Sequence, residues 1–256
     1  MRLASPELRL PAHEFQVLLD QLGPSLGVWR AAEIAALRTE IYEPPILDLG
    51  CGDGLVASFV LPRVDIGVDP SPLAIRRAAQ SRLYARLEAR PIEAVALEAR
   101  SVGTVLSNSV LEHVANLRSA LDATARLLRP GGRLIFTVPT EAFSRWLALP
   151  SAGYRNWRNR HYEHRNLWPI ERWQQELERS GFAIVAVRPY LRREIVTLWD
   201  AVELLQRVWI GRHRLFSACW RRLPRFVLAR LARGASRLDL SAPAPGGGRL
   251  VVAVRR

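Results

Sequence analysis

The chain contains no lysine: all 37 basic side chains among its 256 residues are arginine. Without lysine, a Schiff base with pyridoxal phosphate or with a carbonyl substrate is excluded, and so is the P-loop that binds nucleoside triphosphates. The preference for arginine is explained more simply by GC-rich coding than by selection for phosphate binding. The arginines nevertheless outnumber the acidic residues and give a net charge of +13, which predicts attraction to nucleic acid, lipid headgroups or phosphorylated substrates.

Cysteine and long apolar runs are also scarce. Cys51 and Cys219 are the two cysteines, which is too few for a disulfide framework and does not match the spacing of a zinc site. No run approaches the roughly 20 consecutive apolar residues of a membrane-spanning helix, and residues 1–11 lack the features of a secretory signal. The sequence therefore predicts a cytoplasmic protein with one sizeable hydrophobic core.

The most informative feature that is present is a short apolar strand followed by a glycine-rich loop. Glycine occupies alternate positions in this loop, at Gly50, Gly52 and Gly54. Because glycine lacks a Cβ and tolerates positive φ, the backbone of such a loop can contact a bulky ligand. A second apolar strand, at 64–68, ends in Asp69. Strand, glycine loop, helix, strand and acid form the layout of a nucleoside-binding βαβ unit, with the acid placed for ribose hydroxyls.

The spacing of this loop argues against a dinucleotide-binding protein. Dinucleotide folds need glycine at the first, third and sixth loop positions, but the sixth position here is Leu55. A pyrophosphate prefers a helix N-terminus without negative charge, whereas Asp48 and Asp53 place two carboxylates beside this one. The pattern therefore excludes a nicotinamide-dependent oxidoreductase and favours a ligand that has positive character or hydroxyl groups.

Four motifs, in order, resemble those of class I S-adenosylmethionine (SAM)-dependent methyltransferases, in particular the small-molecule and lipid-type, methyltransferase type 11-like group. They are Asp-Leu-Gly-Cys-Gly-Asp-Gly at 48–54, Asp69, Ser-Asn-Ser-Val-Leu-Glu-His at 107–113, and Leu-Arg-Pro-Gly-Gly at 128–132 before a strand. The resemblance covers residues 40–190 of the sequence. It implies an α/β fold with a Rossmann-like, doubly wound, mostly parallel seven-stranded sheet whose last strand is antiparallel, and it implies SAM as the cofactor.

The periodicity of the chain predicts strands that alternate with helices. Residues 13–40 are predicted to form two helices broken at Gly23-Pro24, and a further helix to begin at the N-cap Ser71 and to end near Tyr84. The remaining predicted strands lie at 46–49, 64–68, near 87, and at 104–107, 133–138, 182–188 and 249–254; the remaining predicted helices lie at 55–61, 117–128 and 171–180. We expect a single methyltransferase domain with N-terminal helices at 1–42, a SAM-binding core at 43–190, a helical insertion at 191–241 and the last strand at 242–256.

The insertion before the last strand is strongly basic and amphipathic. Residues 204–238 contain nine arginines and no acidic residue. Apolar residues recur at helical spacing in the first half of the insertion, and arginines oppose apolar residues in the second half. These positions are Ile195, Leu198, Val202 and Leu205, then Arg225, Arg230, Arg233 and Arg237 opposite Val227, Leu228, Leu231 and Leu238, with Trp199, Trp209 and Trp220 nearby. The pattern favours binding of an anionic membrane surface by residues 195–238; a cover over the substrate and a protein-binding surface are the alternatives.

The methyltransferase resemblance assigns the cofactor site to the carboxyl ends of the strands. The implied residues are Asp48, Gly50, Cys51, Gly52 and Gly54 around the methionine part and ribose, Asp69 at the ribose hydroxyls, Pro70 along the adenine edge, Ile92 or Glu93 at the adenine, and Asn108, whose backbone faces the cofactor. The adenine segment departs from the family pattern, because Arg-Pro-Ile-Glu at 90–93 stands where relatives often have Gly-Asp-Ala.

Histidines supply the candidate catalytic groups. His113, beside Glu112, follows the fourth predicted strand, and His161 lies where the resembling enzymes often place a substrate-side histidine. A histidine titrates near neutral pH and can accept a proton from an attacking hydroxyl; packing and capping at a helix start is the alternative for His113 and Glu112. His161 and His164 lack an obvious third ligand, so no metal site is predicted.

These observations together predict methyl transfer from SAM to a small-molecule acceptor or to a membrane-associated lipid or glycan. The predicted acceptor side carries Trp146, Tyr154, Trp157 and Tyr162. An RNA methyltransferase and a non-catalytic SAM-fold binding protein are the alternatives. Nucleic acid is the less favoured acceptor because Ser-Asn-Ser-Val at 107–110 replaces the Asn/Asp-Pro-Pro-aromatic loop of many nucleic-acid methyltransferases. The oligomeric state is left open.

Overall fold

A computed structural model describes residues 7–207, 209–210, 213–214, 216, 219–220 and 222–256. The chain forms two compact units. The helical unit comprises Met1–Ala36, Glu141–His161 and Pro189–Gly248, and the sheet unit comprises Leu37–Thr140, Tyr162–Arg188 and Arg249–Arg256. All four motifs of the methyltransferase resemblance therefore lie in the sheet unit.

Helices and strands alternate through most of the described chain. In chain order they are α1 (Ala12–Leu37), β1 (Ile46–Leu49), α2 (Leu55–Val60), β2 (Val64–Val68), α3 (Pro72–Ser81), β3 (Tyr84–Glu88), a 3₁₀ turn (Ile92–Ala94), β4 (Val102–Asn108), α4 (Leu117–Leu127), β5 (Leu128–Pro139), α5 (Glu141–Arg145), α6 (Ala152–His161), α7 (Ile170–Arg179), β6 (Phe182–Tyr190), α8 (Arg193–Leu205), β7 (Trp209–Ile210), β8 (His213–Arg214), α9 (Arg225–Ala235) and β9 (Gly248–Arg255).

Seven strands form one sheet in the order β3-β2-β1-β4-β5-β9-β6. The neighbours from β3 to β5 pair in parallel, and the last strand runs antiparallel. This confirms the predicted Rossmann-like, mostly parallel fold. The chain passes from β1 outward to β2 and β3 and then returns to β4 on the other side of β1. Open α/β sheets bind ligands at the carboxyl ends of the strands that flank such a switch point.

The central strands of the sheet are buried along nearly their whole length. Parallel strands that are covered on both faces are expected to be almost continuously apolar. Strand β1 is apolar except at Asp48, whereas β4 also buries the polar residues Thr104 and Ser107. Trp173 of α7 packs against Phe136 of β5 with the ring centroids 5.2 Å apart, and Leu121 of α4 belongs to the same core. This packing fixes the backbone at the carboxyl ends of the strands, where the glycine loop begins.

The segment after β2 agrees with the predicted helix start but not with its predicted end. Ser71 caps α3, since its Oγ accepts a hydrogen bond from the backbone N–H of Ala74 at 3.3 Å. Arg82 adopts a left-handed conformation with φ of 55° and ends the helix. The carbonyl of Leu83 then accepts a bond from the N–H of Val64. The prediction of a helix as far as Tyr84 is therefore wrong, because strand pairing with β2 takes over there.

The N-terminal helical segment is interrupted at the predicted position, Gly23-Pro24. Gly23 has φ of 79° and ψ of 177°, so the helical path of α1 is interrupted there, and Pro24 follows inside the second part. Proline lacks the N–H that a continuous helix needs at this point. The second part ends at Leu37, a few residues before the predicted end.

Helix α8 forms inside the predicted insertion, but its buried face differs from the apolar stripe read in the sequence. Val196, Trp199 and Asp200 are the buried residues. Leu198 and Leu205, two members of the predicted stripe, are 63% and 52% exposed. Trp199 packs instead with Trp29 of α1, with centroids 5.4 Å apart. In the described part of the chain, none of the helices has the length and apolar character needed to cross a membrane.

Candidate functional site

The glycine loop is packed on one side and open on the other. The N–H groups of Gly50 and Cys51 both donate to the carbonyl oxygen of Val68, at 2.8 and 3.0 Å, which ties the loop to β2. Gly50, Gly52 and Gly54 have φ values of 74°, 57° and 82°. A Cβ at Gly50 would lie 2.3 Å from a methyl carbon of Val110, whereas a Cβ at Gly52 would meet nothing within 4 Å. The backbone at Gly52 can therefore approach a ligand closely.

Asp69 connects the loop to the end of β2. Its Oδ2 accepts a hydrogen bond from the N–H of Gly52 at 3.1 Å, and its Oδ1 accepts one from the N–H of Ser71 at 2.8 Å. A carboxylate oxygen can accept two hydrogen bonds. Asp69 therefore fixes the position of the loop and keeps acceptor capacity for hydroxyl donors such as those of a ribose.

Asp48, which opens the glycine motif, is a buried carboxyl with 3% exposure. Its Oδ2 accepts a hydrogen bond from the hydroxyl of Tyr84 at 2.7 Å. Burial raises the pKa of Asp48 to about 7, the Tyr84 hydrogen bond lowers that pKa, and the charge of Asp69 raises it. Tyr84 was not predicted from the sequence, because it lies 36 residues after Asp48 and was assigned to the end of the preceding helix.

The other predicted cofactor residues occupy varied surroundings. Burial, followed by the charges of Asp48 and Asp69, raises the pKa of the Cys51 thiol, so the thiol stays protonated and fills space. Pro70 and Glu93 are exposed, while Ile92 is buried in the core of the sheet unit at 3% exposure. An adenine contact by the Ile92 side chain would compete with this packing, which leaves its backbone and Glu93 as the candidates.

The end of β4 lies beside the glycine loop. The Oδ1 of Asn108 accepts a hydrogen bond from the hydroxyl of Thr137 at 2.8 Å. Ser109 has φ of 52°, and its N–H donates to the backbone carbonyl of Thr137 at 3.1 Å. The next residue, Val110, contacts Gly50 closely. The structure therefore places the segment that follows β4 beside the glycine loop at the switch point, and the role of the Asn108 backbone at the cofactor stays a prediction.

Two histidines come together after β4. The rings of His113 and His164 lie 5.4 Å apart. The Nδ1 of His113 is 3.3 Å from the carbonyl oxygen of Glu163, and its Nε2 is 3.7 Å from Oε1 of the buried Glu112. Burial, and secondly the charge of His113, lowers the pKa of His164 to about 3, so His164 stays neutral.

The backbone holds this histidine pair in place. The N–H groups of Arg165 and Asn166 donate to the carbonyl oxygen of Glu112, at 2.8 and 3.0 Å. The amide nitrogen of Asn166 donates to the carbonyls of Leu111 and Val114. The sequence pattern grouped His164 only with His161, whereas the contact with His113 joins two distant segments.

His161, the second predicted catalytic residue, lies on α6 in the helical unit. Its ring stacks on Trp157 with centroids 5.6 Å apart, and its Nε2 is 2.7 Å from Nη2 of Arg207. Burial, followed by the charges of Arg207 and Arg158, lowers the pKa of His161. Among the described residues there is no cluster of three or more His, Cys, Asp or Glu side chains that could hold a metal ion.

Comparison with known proteins gives the family. A family model described as "Methyltransferase domain" matches residues 27–187, more than half of the chain. The curated relatives include the ubiquinone biosynthesis O-methyltransferase of Bartonella tribocorum, 32% identical over 43% of this chain and 47% of its own length. That of Cronobacter sakazakii is 28% identical over 49% of this chain and 55% of its own length. The chain thus spans about half the length of these curated relatives.

Solved structures show the same fold at low sequence identity. A SAM-dependent methyltransferase of Thermotoga maritima is 16% identical, with a TM-score of 0.60 over 94% of this chain and 100% of its own. Phosphoethanolamine N-methyltransferase 2 of Haemonchus contortus, solved with SAM, is 17% identical, with a TM-score of 0.56 over 94% of this chain and 60% of its own. The matched family model and the sheet order agree with the four motifs: this chain belongs to the methyltransferase domain family and has the fold of the SAM-dependent methyltransferases.

Proposed function

We propose that this chain transfers a methyl group from SAM to an oxygen of a small or membrane-associated acceptor. The observation that supports the cofactor half most strongly is the glycine loop, which Asp69 holds and which is open at Gly52. An acceptor oxygen is supported by the curated relatives, which are named O-methyltransferases.

The residues at the switch point fit SAM. The space beside Gly52 accommodates a ligand against the backbone, and the Asp69 carboxylate can accept bonds from ribose hydroxyls. The buried Asp48 carboxyl suits a ligand of positive charge, because a cation nearby would favour its ionised form. When bound, SAM supplies a methyl group on a sulfonium that is already activated for transfer. The protein then contributes chiefly by holding the acceptor in line and by excluding water.

An oxygen acceptor needs a base, and we assign that role to His113. With its Nδ1 proton donated to the carbonyl of Glu163, Nε2 carries the lone pair that takes the proton of an acceptor hydroxyl. Glu112, with Oε1 3.7 Å from Nε2, stabilises the positive charge that then forms on the ring. The neutral His164 packs against the His113 ring without adding a like charge.

A row of aromatic side chains on α6 suits a flat, apolar acceptor. In the helical unit, Tyr154, Trp157 and His161 stack along one side of α6, and Trp157 is 41% exposed. In the sheet unit, Tyr162 stacks on His164 with centroids 5.6 Å apart. Exposed aromatic faces bind planar ligands through stacking and apolar contact.

We also assign binding of an anionic membrane surface to α9. Leu228 and Ala232 are its buried residues, while Phe226 is 74% exposed and Leu231 is 44% exposed. The arginines at 225, 230, 233 and 237 are exposed as well. A basic helix with large exposed apolar residues binds at the headgroup region of an anionic bilayer. Trp209, which the sequence pattern also assigned to this surface, has a side chain outside the described residues.

Incubation of the protein with methyl-labelled SAM and separate lipid, glycan, small-phenol and RNA extracts tests this function. We expect label in a phenolic or lipid-soluble product, with the mass shift of one methyl group. His113→Gln should lower kcat by about 10²–10⁴-fold without weakening SAM affinity, because a general base contributes that much to rate.

Two comparison variants sharpen this test. His13→Gln, at an exposed position, controls for the loss of a histidine as such. A large loss of kcat in His161→Gln together with an unchanged kcat in His113→Gln would assign the base to α6 instead. Label that appears in RNA alone would replace the proposal with an RNA methyltransferase, and the absence of SAM binding would leave a non-catalytic scaffold.

A further inference from the structure

Tyr84 spans three strands to reach the first acid of the glycine motif. It opens β3, and its hydroxyl donates to Asp48 on β1 at 2.7 Å. Strand β2 lies between them, and there the residue paired with Asp48 is Gly67. A Cβ at Gly67 would lie 2.7 Å from Cδ1 of Tyr84. The phenol ring therefore crosses β2 over the one position of that strand where the side chain is missing.

The same ring also lies against the glycine loop. A Cβ at Gly54 would be 2.9 Å from Cε2 of Tyr84 and 3.3 Å from its hydroxyl oxygen. Gly54 has φ of 82° and precedes α2 as its N-cap. Glycine at 54 and at 67 is thus required by the Tyr84 ring, which fixes the height of the loop above the sheet.

The hydroxyl of Tyr84 interacts directly with the Asp48 carboxyl. The carboxyl of Asp48 is buried, and the charge of Asp69 opposes its ionisation. The other titratable groups near Asp48 are Cys51 of the loop and Tyr42 before β1, and the negative charge of Asp48 raises the pKa of both. Among these groups, Tyr84 is the one that donates a hydrogen bond to Asp48. A hydrogen bond to the ionised form of a carboxyl favours that form.

We propose that Tyr84 is a positioning residue of the cofactor site: its ring supports the glycine loop, and its hydroxyl orients the Asp48 carboxylate and stabilises its charged form for binding the positively charged SAM. This rests on the proposed function, since it assumes that Asp48 faces the cofactor. Tyr84 needs no contact with SAM, because it acts through Asp48 and Gly54.

The pH dependence of SAM binding tests the hydroxyl. In the parent protein, SAM affinity should rise as pH passes through the Asp48 pKa of about 7, since the charged carboxylate binds the cation. Tyr84→Phe keeps the ring but removes the donor, so the Asp48 pKa rises and this increase in affinity moves to higher pH. We expect a shift of about 0.5–1 pH unit and an affinity at pH 7 lower by about 2–5-fold, recovering above pH 8. Calorimetric titration from pH 6 to 9 measures both.

Three further variants make the result specific. Asp48→Asn removes this carboxylate. The remaining pH dependence of its SAM affinity includes the titration of SAM's own amino group, which can then be subtracted. Tyr42→Phe removes another part-buried phenol hydroxyl, which donates to the carbonyl of Leu37 at 3.0 Å. This variant should leave the pH dependence of SAM affinity unchanged. Tyr84→Leu removes the ring as well and should weaken SAM binding at every pH.

A second measurement is independent of the ligand. Carbon NMR of aspartate carboxyl groups, assigned with Asp48→Asn, should show the Asp48 titration at higher pH in Tyr84→Phe than in the parent. An unchanged Asp48 titration, an unchanged binding profile, or an equal loss of affinity at all pH values in Tyr84→Phe would each overturn this inference alone. If the parent protein binds no SAM at any pH, the proposed function fails and the inference fails with it.

Discussion

Substitution of a single glycine in the loop can distinguish an effect on cofactor affinity from an effect on the stability of the fold. An alanine at Gly52 would adopt φ near 57° and its Cβ would meet no protein atom within 4 Å. Gly52→Ala should therefore cost only the left-handed conformation, about 1–2 kcal/mol in the free energy of unfolding. The new methyl group occupies the space that we assign to the cofactor, so we expect SAM affinity to fall by about 30-fold or more, equivalent to 2 kcal/mol, in a calorimetric titration.

Gly131 offers a matched control for that substitution. It has φ of 75°, and a Cβ there would also meet nothing within 4 Å. Gly131→Ala should show the same loss of stability in urea unfolding with unchanged SAM affinity. If the two alanine variants bind SAM equally well, the cofactor does not lie beside Gly52.

The residues that we propose for the cofactor site differ in how far they could be predicted from the sequence. The glycines, Asp48 and Asp69 were predicted because they belong to short, contiguous sequence motifs. Tyr84 and His164 were not assigned their roles, because each acts through a residue in a distant segment of the chain. The choice between His113 and His161 also depends on tertiary neighbours: Glu112 and His164 surround the first, while Arg207 and Trp157 contact the second.

At the scale of elements, the sequence predicted those whose signals are local. The Gly-Pro interruption of α1 and the Ser71 cap of α3 need only their own neighbourhood in the chain. Helix α6 was not predicted, since its sequence is rich in Arg and Asn and contains only two large apolar residues, Tyr154 and Trp157. What stabilises α6 is the Arg158 side chain, which is fully buried against Asp200 of α8. The two residues are 42 positions apart, so no local pattern shows the pair.

The buried ion pair between α6 and α8 leads to a stability prediction. The Nε and Nη2 of Arg158 donate to Oδ1 of Asp200 at 2.7 and 2.5 Å, and Ala148 N–H and the Tyr154 hydroxyl donate to the same carboxylate. Asp200→Asn leaves the Arg158 charge buried without its counter-ion, which typically costs about 3–5 kcal/mol. We expect a loss of this size in the free energy of unfolding from urea titration.

An exposed ion pair and a double substitution provide the comparison. Arg179→Gln breaks the solvent-exposed pair with Glu176 and should cost below about 1 kcal/mol. The double variant Arg158→Met with Asp200→Leu removes both charges and should regain much of the stability lost in Asp200→Asn. If Asp200→Asn is no more destabilising than Arg179→Gln, the buried pair does not hold α6 to α8.

At the scale of the whole molecule, the net charge of +13 attracts the protein to any anionic surface. A membrane site must therefore be separated from this general attraction. Two variants with equal net charge do so. One replaces Arg225, Arg230, Arg233 and Arg237 of the α9 region by Gln, and the other replaces the exposed Arg63, Arg76, Arg77 and Arg82 of the sheet unit.

Sedimentation with vesicles that contain phosphatidylserine compares the two variants. An arginine near an anionic bilayer contributes about 1 kcal/mol, so loss of the α9 arginines should lower vesicle binding by about 10²–10³-fold at physiological salt. If α9 itself contacts the bilayer, the sheet-unit variant, whose substituted arginines lie outside that helix, should lose less than about 3-fold, since charges beyond the Debye length of about 8 Å at physiological salt are screened. Phe226→Ser should keep the salt dependence of the parent and lose the binding that remains at high salt, because burial of its ring is not screened. An equal loss in the two arginine variants would mean that only the total charge matters, and the assignment of a membrane-binding surface to α9 would then be wrong.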